Sequence, residues 1–225
     1  MKTLIVSLGG SVIVPDEVDT IFLKNFRRVI LDFIKNGNRA VIVAGGGGTN
    51  KKYNAAAQKA AKIKNVDLDW LGIAATKLNA ELLRVIFGAA AYEEVAVDPT
   101  KKIKTNKKII IASGWLPGCS SDKDAILWAK NFGATSVVNL TNIDYIYSKD
   151  PKKFKDAKRL EKIKWAEYRK MVGNKWIPRM HAPFDPIASG LAEKLGMEVI
   201  IMEANHLNNF KKFLKGEGFR GSVIK

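Results

Sequence analysis

Leu4-Ile5-Val6-Ser7-Leu8-Gly9-Gly10-Ser11 and Ala40-Val41-Ile42-Val43-Ala44-Gly45-Gly46-Gly47-Gly48-Thr49 share one pattern: a short, apolar, β-branched run that stops at a glycine cluster. Each run reads as a buried strand, and each cluster as the turn into a helix. Glycines at such a turn let backbone N–H groups approach an anion, and the helix N-terminus adds partial positive charge. Neither loop is a Walker motif, because no Gly-Lys-Ser/Thr follows. Alone, Gly9-Gly10-Ser11 reads equally well as a tight turn. The Gly45–Gly48 run says more, because consecutive glycines cost backbone entropy. Two such loops suggest two phosphate-bearing ligands held near each other, as phosphoryl transfer requires.

Outward from these loops, strand-like runs recur at Thr3–Leu8, Arg39–Ala44, Glu94–Val97, Lys108–Ala112, Ser136–Leu140 and Glu198–Met202. Helical patterns lie between them. Ile21, Phe22, Phe26, Val29, Ile30, Phe33 and Ile34 form one apolar stripe, stopped by Asn36-Gly37-Asn38. Leu68–Phe87 reads as a long helix with Leu71, Ala75, Leu78, Leu82 and Ile86 on one face. Asp122–Asn131, Lys164–Val172, Pro186–Leu195 and Leu207–Leu214 read as shorter helices. Strand–helix alternation predicts an α/β fold, a three-layer sandwich around a central, mainly parallel sheet. Ligands then bind beyond the carboxyl ends of the strands, where both glycine loops fall. The length of 225 residues suits a single domain spanning 1–225.

Composition narrows the class. No apolar run reaches the ~20 residues of a membrane span, and the N-terminus lacks a signal-peptide cleavage pattern. The lone Cys119 gives neither an internal disulfide nor a metal cluster. A cytoplasmic enzyme without a membrane partner is the expectation. The formal charge of +16 is concentrated partly in Lys149–Lys170. A solvated face that steers anionic substrates accounts for it. Nucleic acid is the lesser reading, since no RNA-binding motif accompanies the charge.

Two further segments sit at strand ends. Gly114-Trp115-Leu116-Pro117-Gly118-Cys119-Ser120-Ser121-Asp122 opens a helix. Its serines can donate to phosphate oxygens, and they can equally cap the helix. Thr141-Asn142-Ile143-Asp144-Tyr145-Ile146-Tyr147-Ser148-Lys149-Asp150-Pro151 offers polar side chains beside two tyrosines, suited to a purine and ribose. Read alone it is as well a polar loop before a proline turn.

Together, in this order, the four segments resemble the amino-acid kinase superfamily and, within it, the UMP kinases of archaeal type. The resemblance runs from the first strand to Gly221-Ser222-Val223-Ile224 and includes Leu71-Gly72-Ile73-Ala74-Ala75-Thr76-Lys77-Leu78-Asn79-Ala80 and Asp185-Pro186. It implies transfer of the ATP γ-phosphoryl group to UMP, with Mg²⁺ carried on nucleotide oxygens and no protein metal ligand named. It implies that Gly9, Gly10, Ser11, Gly46, Lys51, Thr141, Asn142, Asp144, Tyr147 and Asp150 hold ATP. Gly45, Gly46, Asp69, Trp115, Leu116, Pro117, Gly118, Cys119, Ser120 and Ser121 would hold UMP. Asp122, Gly10 and Lys51 would serve the chemistry, with Asp122 orienting the active-site groups. A homo-oligomer, a hexamer built from dimers, is implied as well.

The chain also departs from that family. Ser7 stands where a basic residue often precedes the first glycine pair. Lys51 and Lys77 replace arginines, Tyr145 replaces a glycine, and Trp115 and Leu116 are bulkier than usual. Two alternatives follow: a kinase of another small phosphate such as isopentenyl phosphate, or a nucleotide-sensing or RNA-binding protein on the same scaffold. The first group usually brings a histidine to the acceptor phosphate, and His181 and His206 both lie outside the acceptor segments.

Overall fold

The computed structural model describes residues 1–176 and 182–225, so His181 lies outside the described residues. Its centre is a seven-stranded sheet of order β3-β2-β1-β4-β8-β9-β7. These strands are β1 (Thr3–Leu8), β2 (Arg39–Ala44), β3 (Ile109–Ala112), β4 (Ser136–Thr141), β7 (Lys162–Ile163), β8 (Glu198–Glu203) and β9 (Ser222–Ile224). The first five in that order run parallel, and β9 is antiparallel to β8. A separate pair, β5 (Ile146–Tyr147) and β6 (Arg159–Leu160), forms a small antiparallel ribbon.

The central strands are apolar on both sides because both faces are covered, as expected of a parallel sheet. Leu4, Val6, Leu8, Ile42 and Ile111 pack on one side, against helices α1 (Gly10–Ile13), α2 (Thr20–Lys35), α4 (Asn65–Phe87) and α8 (Leu207–Leu214). Ile5, Val41, Val43 and Ile110 face the other, against α5 (Ser121–Phe132), α6 (Trp165–Val172) and α7 (Pro186–Lys194). Helix α3 (Gly47–Ala60) follows the second glycine loop and packs on α4. It has no apolar stripe, since only Gly48 and Asn54 are buried in it, which is why periodicity does not reveal it.

Three expectations are corrected. Glu94–Val97 is not a strand: only an isolated bridge joins Ala96 to Ala112. In α4 the expected stripe holds at Ala75, which is buried, and at Leu82 and Ile86, which pack on the core, but Leu78 is 62% exposed, and Thr76, Asn79, Ala80 and Leu83 are buried beside it. Ile21 likewise points outward in the first turn of α2.

β1 sits between strands reached by opposite excursions of the chain, β2 and β3 on one side and β4 and β8 on the other. The strand order reverses between β1 and β4, so the crevice beyond their carboxyl ends is the topological switch point.

Candidate active site

The two glycine loops meet at that crevice, backbone against backbone. A Cβ placed on Gly10 would lie 2.0 Å from the Gly47 nitrogen and 2.5 Å from the Gly45 carbonyl carbon. A Cβ on Gly47, which has φ +57°, would lie 2.0 Å from the Gly10 oxygen. Only glycine permits this approach at both positions. The contact is pinned from below, where Gly45 N–H donates to Leu8 O (2.9 Å) and Gly48 N–H donates to Val14 O (2.7 Å). Apart from Gly48 N–H and Val12 N–H, which are bonded to Val14 O and Gly9 O, the first-turn amides of α1 and α3 lack intrahelical partners by helix geometry.

Helix α4 holds the acceptor side in place. Buried Asn79 donates from Nδ2 to Gly45 O (2.8 Å) and Gly46 O (3.1 Å). One turn earlier, Thr76 Oγ1 accepts from Gly114 N–H (2.8 Å) and donates to Ile73 O (2.7 Å). At the start of the helix, Asp69 accepts from Gly118 N–H (2.8 Å). One face of α4 thus fixes the loops after β2 and β3 together. Asn79→Ala should leave two loop carbonyls without their donor. The fold should lose about 1–3 kcal/mol, and kcat/KM for the acceptor should fall roughly 10-fold. Thermal melts and steady-state kinetics on the same preparation check this; unchanged kcat/KM would make Asn79 a core residue only.

Between these elements lies a cavity of about 150 Å³. Its wall includes Gly46, Asp69, Leu116, Cys119, Ser120 and Ser121, all expected on the acceptor side. Gly45, Trp115, Pro117 and Gly118 belong to the same loops but not to the wall. The sequence reading missed Asn50 and Asn54 of α3, Gly72, Ile73 and Thr76 of α4, Asp124 of α5, and Trp176. Trp176 donates from Nε1 to Asp69 Oδ1 (3.4 Å) and also lines a smaller cavity of about 60 Å³ with Asp122 and Asp185. No periodicity or motif marks it, since it is placed by the loop after α6.

Lysines do not reach this wall. Lys51, expected at the phosphates, is exposed on α3, and the wall takes Asn50 and Asn54 from that helix instead. Lys52 is held by Asp16 and Glu17, at 3.2 and 3.0 Å. Lys77 is exposed as well. Among the described residues neither cavity is lined by lysine or arginine. Among the described residues, the backbone amides and helix N-termini at the crevice contribute positive potential.

Asp122 sits at the centre of a hydrogen-bond hub. It accepts from Ser7 Oγ (2.8 Å), from Asp185 N–H (3.2 Å) and, more weakly, from Asn139 Nδ2 (3.4 Å). Ser7, one residue before the carboxyl end of β1, thus ties that strand to Asp122 through its hydroxyl. Burial pushes the Asp122 carboxyl up to about 6, and the Asp185 charge adds to this. Burial also pushes Asp124 up to about 7 and the Cys119 thiol up to about 12, which leaves that thiol unreactive. Ser120 is not free to meet phosphate, because its N–H (2.7 Å) and Oγ (2.9 Å) both donate to Asp185 Oδ2. Asp185 also caps α7 through Ile187 N–H and Ala188 N–H. Ser121, at the first turn of α5, lines the cavity.

On the donor side, Gly9 N–H donates to Leu140 O (2.8 Å), so Gly9, Gly10 and Ser11 lie beside the loop that starts at Thr141 and Asn142. Tyr147 Oη donates to the Asp144 carboxylate (3.1 and 3.2 Å), and Arg159 Nε donates to Tyr147 Oη (3.3 Å). Asp150 caps an exposed turn by accepting from Lys152 N–H (2.9 Å). Tyr145 is buried with the Arg159 guanidinium 5.1 Å from its ring centre, so it offers no open face to a base.

Comparison with known proteins agrees with this geometry. Residues 2–203 match the amino acid kinase family, and the chain belongs to that family. It is 34% identical to the uridylate kinase of Methanospirillum hungatei, over 100% of this chain and 95% of that one. It is 32% identical to the uridylate kinase of Sulfolobus acidocaldarius, over 93% of each. The crystal structure of uridylate kinase from Archaeoglobus fulgidus superposes with a TM-score of 0.82 at 27% identity, covering 100% of both chains.

Proposed function

We propose that this chain is a UMP kinase, transferring the γ-phosphoryl group of ATP to the phosphate of UMP. The observation that carries the reading is the backbone contact between two glycine loops at the switch point, with an acceptor cavity beside it. Such contact sets two phosphate-binding loops within one transfer distance. The full-length likeness to uridylate kinases supports UMP as the acceptor.

Little covalent chemistry is asked of the protein. The UMP phosphate is already ionised at neutral pH, so no general base is required. First-turn amides of α1 and α3 would hold donor and acceptor phosphates in line, and Ser121 would donate to the acceptor. Asp144 and Tyr147 would stand on the adenosine side. Mg²⁺ would be held by phosphate oxygens and water. Bound so, it would supply charge neutralisation.

A homo-oligomer, hexameric by the resemblance, and a cytoplasmic location belong to the same reading. Exposed Trp70, Leu78 and Val85 on one side of α4 favour a second copy as partner. Among the described residues no helix is long and apolar enough to cross a membrane.

The test is a side-by-side assay of UMP, CMP, AMP, GMP and isopentenyl phosphate with ATP and Mg²⁺. UMP should give the highest kcat/KM. Equal or better turnover of isopentenyl phosphate would overturn the assignment.

A further inference from the structure

Helix α3 sends two asparagines into the acceptor cavity, one helical turn apart. Asn54 is 1% exposed, and its Oδ1 is buried without a hydrogen-bond partner. Asn50 Oδ1 is in the same condition. A buried carbonyl oxygen left unpaired costs about 1–3 kcal/mol, so interiors rarely keep one without a reason. Gluing α3 to α4 does not supply that reason. Across from Asn50 lies Gly72, whose missing Cβ would stand 3.4 Å from both amide atoms and which offers no side-chain donor.

The rest of the wall shows what the asparagines face. The Gly46 loop and Ser121 offer donors, as an anion requires. The same wall carries acceptor oxygens on Asp69, Asp124, Asn50 and Asn54, with Asn50 beside Gly46 and Asn54 one helical turn farther along α3. A ligand matching this wall carries both a phosphate and hydrogen-bond donors. A nucleoside monophosphate has both, its donors being ribose hydroxyls and a base N–H.

We propose that Asn54 is a specificity-determining residue, its Oδ1 accepting a hydrogen bond from the nucleoside half of the acceptor. This rests on the acceptor being UMP. The donor is either the uracil N3–H or a ribose hydroxyl, and the two are separable. A site built to take a hydrogen bond rejects an analogue lacking the donor, because the buried acceptor stays unpaired.

The experiment is calorimetric titration of wild-type enzyme and Asn54→Leu with UMP, 2′-deoxy-UMP, 3′-deoxy-UMP and N3-methyl-UMP, with ATP affinity and kcat measured alongside. Asn54→Leu should weaken UMP binding ~10-fold while ATP affinity and kcat stay within ~3-fold. One analogue should lose a similar factor on wild type and nothing further on Asn54→Leu, which identifies the donor. Asn54→Asp, which keeps an acceptor oxygen, should recover much of the loss. Unchanged UMP affinity in Asn54→Leu, or equal additive losses for every analogue, would overturn the proposal. If Asn54→Leu does not fold, the wild-type series still decides, since full affinity for all three analogues leaves Asn54 nothing to read. Failure of wild-type enzyme to phosphorylate UMP would instead remove the underlying reading.

Discussion

Gly10→Ala should abolish phosphoryl transfer, with kcat/KM falling by at least ~100-fold. The added methyl would fall 2.0 Å from the Gly47 nitrogen, 2.5 Å from the Gly45 carbonyl carbon and 2.6 Å from the Gly46 nitrogen. All three are backbone atoms, so no rotamer change relieves the clash. Gly45 and Gly48 are themselves tied to Leu8 O and Val14 O, which removes the easy route of retreat. The loops must separate, and the first-turn amides of α1 and α3 then no longer converge. Gly37→Ala is the control. Nothing lies within 4 Å of a Cβ there, so its cost should be only that of φ +77°, about 1 kcal/mol. Kinetics with thermal melts separate the two effects. Retention of more than a tenth of wild-type kcat/KM by Gly10→Ala would show that the loop contact is not needed for transfer.

Much of this was legible in the sequence, and the rest was hidden for physical reasons. β1, β2 and β4 announce themselves because strands buried on both faces are nearly continuous apolar runs, broken between their ends only by Ser7 in β1 and Asn139 in β4. The glycine loops follow directly from them. Helix α3 escaped because Lys51, Lys52, Ala55, Ala56 and Ala57 give it no apolar period, although it supplies two residues of the cavity wall. Its first turn drew attention to Lys51 for its charge, whereas the wall takes Asn50 and Asn54. Nothing in a one-dimensional pattern says which side of a helix start faces a neighbour. The α4 stripe was misread at Leu78 because the buried face is partly polar: Thr76 and Asn79 point inward to hold loops, and Leu78 points out. Trp176 and Asp185 come from distant segments and meet the site only through tertiary packing.

Asp122→Asn should lower kcat on the order of 100-fold while the melting temperature at pH 8 holds or rises. The stability half follows from the raised carboxyl. With an ordinary value of 3.8 and about 6 in the native protein, the native state holds the proton more tightly than the unfolded chain does. Stability contributed by this group therefore falls as pH climbs from about 4 to about 6 and stays lower above. Asparagine never ionises, so at pH 8 it escapes that loss, on the order of 3 kcal/mol before the exchange of hydrogen bonds is counted. The activity half follows from the hub. Ionised Asp122 accepts from Ser7 beside the first glycine loop, from Asn139 on β4 and from Asp185 N–H at α7. An amide turns one acceptor into a donor facing a donor, and the crevice loses its alignment. Protonation of the native carboxyl has the same consequence, so wild-type kcat should fall more steeply below about pH 6 than that of Asp122→Asn, whose remaining acid limb is that of the substrate phosphate. A helix-capping role predicts the reverse pairing, near-normal kcat with a melting temperature lowered by the ~1 kcal/mol of a lost cap. Melts and kcat profiles from pH 5 to pH 9 on both proteins decide between the two.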